Sequence, residues 1–146
     1  MIVIEIDGKP VAKGRGRIGR MADGRPTIFT PAATRANENL IKMQAMRAMK
    51  GRDPIEGAVE VTVNVFISPP KSMTKGRRKL ALCGVMRPCA KPDTDNFLKS
   101  ALDGINTIVF RDDNQVVDLH GHKHYREKAG MVIEVREIGS AVDMVV

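Results

Sequence analysis

The chain is poor in aromatic side chains: no tryptophan, one tyrosine and four phenylalanines in 146 residues. Proteins that bind single-stranded nucleic acid regardless of sequence stack the bases on such rings, so that mode of binding is disfavoured. The core must be built from Val, Ile, Leu, Met and Ala, and the nine methionines read as adaptable packing. Cysteine is scarce as well. Cys83 and Cys89 are too few for a disulfide framework, or for a zinc site by themselves, which makes a reducing cytoplasm the expected compartment. No apolar run approaches the roughly 20 residues of a membrane-spanning helix. The first residues, Met1-Ile2-Val3-Ile4-Glu5-Ile6, make a strand pattern and not a signal peptide. Acid is missing from one long stretch: Val61 to Pro92 holds seven Lys/Arg and no Asp or Glu.

What is present bounds the class. A chain of 146 residues, 42% hydrophobic, is expected to fold as one domain with a real core. Its net charge of +7 favours a polyanionic partner, nucleic acid first, with a membrane surface as the competing explanation. Against that basic background the acids are concentrated. From Asp93 to Asp118 there are six, all Asp.

The hydrophobic pattern predicts both strands and helices along the chain. Residues 2–6 and the segment around Val11 read as strand, turn and strand, with Asp7-Gly8 as the turn. Lys13 to Arg25 reads as a basic, glycine-rich loop in which Lys13, Arg15 and Arg17 are candidate phosphate contacts. Thr30-Pro31 reads as a helix cap, with the helix running to about Lys50. Val59 to Val65 alternates strictly and reads as a strand with its valines inward. Ser72 is a candidate cap for a short basic helix ending near Leu82. That helix carries Lys75, Arg77, Arg78 and Lys79, either a solvated face or a track along a nucleic-acid backbone. A further helix is predicted from Asp95 to Thr107. Strands follow at Val116 to Tyr125 and Met131 to Ile138, with a loose tail or minor strand from Gly139 to Val146.

Chemistry concentrates in Pro92-Asp93-Thr94-Asp95-Asn96-Phe97-Leu98-Lys99 and in Asp112-Asp113. In an extended lead-in, Asp93 and Asp95 point to the same side and can face one ion. Asp95 serves equally well as a helix cap. Lys99, one turn later, either neutralises the carboxylates or binds a scissile phosphate and stabilises transition-state charge. Asp112-Asp113 on their own read as a solvated turn. Together, three short carboxylates suit magnesium, which takes oxygen ligands and keeps several waters. Such a site could activate a water for attack on phosphorus.

These blocks resemble the RusA family of Holliday junction resolvases, endodeoxyribonucleases of phage and prophage origin. The resemblance rests on Lys91 to Lys99, on Leu102-Asp103-Gly104-Ile105-Asn106 and on Asp112-Asp113-Asn114-Gln115-Val116-Val117, with Gly8-Lys9-Pro10, Lys13 and Arg15 resembling the family's early basic turn. It implies a small α+β domain, a mixed sheet packed against two main helices, and a homodimeric nuclease that uses Mg2+, with Mn2+ able to substitute. Asp93, Asp95 and Asp113 are then the metal ligands, Asp112 an assistant or only a loop former, Lys99 the catalytic lysine and Lys123 a DNA contact. The implied substrate is branched DNA, a four-way junction cut by paired nicks that leave 5′-phosphate ends.

Two other functions compete. His120, His122 and His124 share one face of a predicted strand and could bind a metal in a histidine-based hydrolase. A non-catalytic, structure-specific DNA-binding protein is the other, its basic loops doing the binding while the aspartates cap and salt-bridge.

Overall fold

The computed structural model describes residues 1–14 and 16–139. Arg15, and the expected tail beyond Gly139, lie outside the described residues. Six strands and three helices follow in order: β1 (Ile2–Asp7), β2 (Arg17–Arg20), β3 (Pro26–Phe29), α1 (Ala32–Met49), β4 (Val59–Ile67), α2 (Lys75–Leu82), α3 (Thr94–Ile105), β5 (Val116–Tyr125) and β6 (Gly130–Glu137). A 3-10 turn, Asp113–Gln115, leads into β5.

The main sheet has the strand order β1-β6-β4-β5. β6 is antiparallel to both β1 and β4, while β4 and β5 run parallel, so the sheet is mixed as the family resemblance implies. Strand alternation puts Val59, Val61, Val63 and Val65 of β4 on the buried face, beside Ile133 and Val135 of β6 and Ile4 of β1. α1 contributes Ile41, Ala45 and Met49 to this core, and α3 contributes Phe97, Ala101 and Ile105. Burying each such aliphatic side chain contributes about 1.5–3 kcal/mol. α1 and α3 meet at Gly104, where an added Cβ would lie 2.4 Å from Ile41 Cγ2. That close approach explains a glycine in a helix interior.

The other face of the sheet is the more exposed one. It presents Glu60, Thr62 and Asn64 of β4 alongside Asp118, His120 and His122 of β5. No helix among the described residues is long and apolar enough to cross a membrane. Cys83 and Cys89 are free and exposed.

Several local expectations change. β1 does not form a hairpin with the segment around Val11. It pairs with β6 instead, because Ile2, Ile4 and Ile6 need the core that only the long-range partner completes. At Gly8 the backbone takes a positive φ of 98°, turning the chain away from the sheet. The basic, glycine-rich loop contains β2, which forms a two-stranded hairpin with β3 just beyond it. Thr30 does not cap α1: Pro31 occupies the cap position, without a side-chain bond. α2 is capped by Thr74, whose side chain accepts from the Arg77 N–H at 3.4 Å, and not by Ser72.

Candidate active site

The first acidic block sits where a buried lysine puts it. Lys123 on β5 pairs in register with Val65, so its side chain enters the helix-covered side of the sheet. There it is only 8% exposed, and its ammonium donates to the carbonyls of Ala90 and Pro92 at 2.8 and 3.0 Å. These two carbonyls belong to the bend that leads into Asp93. Expected from sequence to touch DNA, Lys123 is instead turned inward and holds the lead-in. A buried ammonium must be hydrogen-bonded, and the carbonyls supply that. Gly121, two residues earlier on the same face, leaves room for α3: an added Cβ would lie 2.9 Å from Leu98 Cδ2.

α3 begins at Thr94, with Asp93 at the cap position and Asp95 in the first turn. The Asp93 side chain makes no capping bond, and Asp95 lies inside the helix, so neither carboxylate does the capping work that would explain it away. Both are exposed, as is Lys99 one turn on. Among the described residues none of the three side chains forms an ion pair within the chain. Phe97, buried between them, ties this turn to the core.

The second acidic block is built differently. Asp112 caps the 3-10 turn. Its side chain accepts from the Asp113 N–H at 2.9 Å, and Gln115 completes a capping box. Gln115 is buried, and its amide donates to the carbonyls of Ile55 and Gly57 at 2.7 and 2.9 Å. Its oxygen accepts from the backbone N–H groups of Arg111 and Asp112. Asp112 is therefore engaged with the backbone, while the Asp113 carboxylate is exposed. The capping role was legible as Asp followed three residues later by Gln. Nothing in the sequence marked Gln115 as the anchor.

The two blocks lie at opposite ends of the domain within one chain. The first is fastened to Lys123, beside Val65. The second is fastened to Ile55 and Gly57, before Val59 begins β4. The strand between, Val59 to Val65, spans roughly 20 Å. Among the described residues no group of three His, Cys, Asp or Glu is placed to hold a metal ion. Hard oxygen donors suit magnesium in type, and at the α3 end the described residues of a single chain supply Asp93 and Asp95.

The three histidines lie on the open face, as expected from the strand, without converging on a point. His120 Nε2 is 3.3 Å from Glu60 Oε2, His124 Nε2 is 3.1 Å from Asn64 Oδ1, and the His122 and His124 rings stack at 5.9 Å. Burial, then the charge of Arg87 and that of His122, holds the His124 pKa below the ordinary imidazole value. Stacked rings with engaged edges are a poor ligand set.

The basic residues divide. Lys13 pairs with Asp103 on α3 and with Glu38 on α1. Its hydrogen bond to Asp103 and the charges of both partners raise its pKa against the opposing effect of burial, so it serves the fold first. Arg17 on the hairpin and Lys75, Arg77 and Lys79 on α2 are exposed, while Arg78 is half-buried and reaches Glu127 at 3.5 Å. α2 and its following loop lie toward β5, with Arg87 Nε donating to the Lys123 carbonyl at 2.6 Å. That leaves the exposed cations near the Asp93 end.

A family model for the endodeoxyribonuclease RusA matches residues 7–136. The chain belongs to the RusA endodeoxyribonuclease family. The match includes both acidic blocks, the hairpin, β4, β5 and β6 as far as Arg136, and of β1 its last residue, Asp7. A protein of Bacillus subtilis (strain 168), the uncharacterized YqaN, is 33% identical over 141 residues, covering 95% of this chain and 98% of that protein. Membership in the RusA family fixes the general chemistry as DNA cleavage by an endodeoxyribonuclease, on the small α+β domain described above.

Proposed function

We propose that the protein is a magnesium-dependent Holliday junction endonuclease acting as a homodimer. The observation that carries this reading is the pair of unengaged carboxylates, Asp93 and Asp95, presented by a lysine-clamped lead-in on a basic, RusA-family chain. With two donors at that end among the described residues, the reading takes Asp113 from a second copy, since the chain's own Asp113 is anchored at the far end of β4. β5 is an edge strand, with Val117 59% and Leu119 41% exposed. An exposed apolar edge is a natural pairing surface. Antiparallel pairing of two β5 strands about Leu119 sets Asp118 beside His120 of the other copy, a favourable cross-strand pair. It also carries each Asp113 toward the other copy's Asp93 end.

In this reading Asp93, Asp95 and the second copy's Asp113 hold the ion, and Lys99 lies against the scissile phosphate, where its charge offsets the negative charge that develops in the transition state. A bound divalent ion would lower the pKa of a water and shield the leaving oxygen. Lys123 acts from behind by fixing the lead-in. Exposed lysines and arginines on α2 hold the DNA backbone. Two-fold symmetry matches the protein to a junction and provides paired cuts.

The test is subunit mixing. Asp95→Asn and Asp113→Asn should each abolish cutting of a labelled four-way junction in magnesium while junction binding remains. When the two variants are co-expressed, the mixed dimer contains one intact site and should recover single-strand nicking. No recovery in the verified mixed dimer defeats the shared site, and binding without nicking by the unaltered protein across divalent metals defeats the nuclease reading.

A further inference from the structure

The hairpin of β2 and β3 stands off the body. Ile18 and Ile28 are directly opposite each other across it, and they are 82% and 76% exposed. An isolated two-stranded ribbon is marginal in water, and this one makes no substantial contact with any other strand or helix among the described residues. Its apolar pair therefore faces solvent where packing against the core was available to neither residue.

The root of the hairpin is fixed. The Lys13 N–H donates to the Asn96 carbonyl at 3.1 Å, and the Gly14 N–H donates to Thr34 Oγ1 at 3.0 Å. Asn96 follows Asp95 in the first turn of α3, so the ribbon springs from beside the first acidic block. Charge argues for its partner. From Lys13 to Phe29 there are five Lys/Arg and one acid, Asp23, and that acid is occupied by Arg25 at 2.6 Å. Arg17 and Arg20 remain exposed beside the isoleucines. A basic ribbon with a bare aliphatic pair has the chemistry of an element that grips phosphates and pushes apolar side chains between bases. A DNA groove admits a two-stranded ribbon, and inserted Ile or Leu side chains partly unstack and kink a duplex. Aliphatic tips separate bases; they do not offer the flat ring on which a base stacks.

We propose that the β2–β3 hairpin is a wedge: the Ile18–Ile28 pair enters branched DNA at or beside the branch point and unstacks it, with Arg17 and Arg20 on the flanking phosphates. This inference rests on the branched-DNA reading above, but its readout is independent of cutting. A four-way junction carrying 2-aminopurine at the branch point is titrated with protein bearing Asp95→Asn, so that no strand is cut. Binding should raise the fluorescence as the base unstacks. Adding Ile18→Ser and Ile28→Ser should reduce that rise at least about twofold while junction affinity, dominated by phosphate contacts, changes by less than about threefold. Both residues are exposed, so the melting temperature should be unchanged and loss of folding is checked directly. An undiminished rise overturns the wedge. So does conversion of a dimer to a monomer by the double substitution in light scattering, which would make the hairpin a contact between copies. If the unaltered protein cuts no junction but the rise and its loss are seen, the wedge stands and the nuclease reading alone fails.

Discussion

At the N-terminal end of α3 the carboxylates of Asp93 and Asp95 make no ion pair among the described residues, and the work of positioning falls to Lys123 behind them. At the other end Asp112 closes its own turn, Gln115 does the anchoring, and only Asp113 is left facing out. The two blocks use one residue type in two ways. A carboxylate that the backbone already occupies is part of the scaffold, whereas one held in place by neighbours and left without a partner is available for chemistry. Adjacent aspartates can thus differ in role although the sequence prints them as a pair.

The comparison can be broken most directly at Asp112-Asp113. Asp113→Asn should lower junction cutting by about a thousandfold, whereas Asp112→Asn, which keeps a good capping side chain, should stay within a few-fold of the unaltered protein. Equal losses, measured as single-turnover rates, would erase the distinction drawn here. Lys123→Met tests the other block. It leaves two carbonyls without their donor, at a cost of about 1–3 kcal/mol, and should lower cutting roughly 10–100-fold through misplacement of Asp93. Lys99→Ala should slow cutting with almost no change in the denaturation midpoint, so the pair separates positioning from contact.

Between the two ends, Gly104→Ala forces a methyl against Ile41, a β-branched side chain with little freedom to move. The expected destabilisation is about 1–3 kcal/mol by urea unfolding. A neutral result would show that α1 and α3 are not locked together. The smallest effect belongs to the open face, away from both blocks. The folded-state pKa of His124 is depressed, so folding favours its neutral form. Its contribution is full above the ordinary imidazole value and declines as pH falls through that value toward the folded one. An NMR titration should find His124 below the ordinary value, and His124→Gln should remove that part of the acid-side loss of stability.

Much of the fold was legible because it rests on periodicity. The alternating valines of β4 and the helical spacing of Phe97, Ala101 and Ile105 mark their buried sides wherever the partner lies. The hairpin was not legible. Its isoleucines face solvent, so no core-directed alternation sets it apart from a loop, and its glycines and arginines read as flexibility. Lys123 was misread for a related reason, since a lysine on a strand looks exposed until the carbonyls that receive it are known.

By itself the sequence determined a basic chain with RusA-type motifs and set Asp93, Asp95, Lys99 and Asp113 as its candidate site, because residue type and short-range spacing carry that information. Only the tertiary structure decided that the two acidic blocks stand at opposite ends of β4, that Lys123 serves the first and Gln115 the second, and that a bare apolar ribbon rises beside α3. Those facts depend on which distant segments pair in the sheet, and strand pairing is set by the burial of the whole core and not by any local stretch of chain.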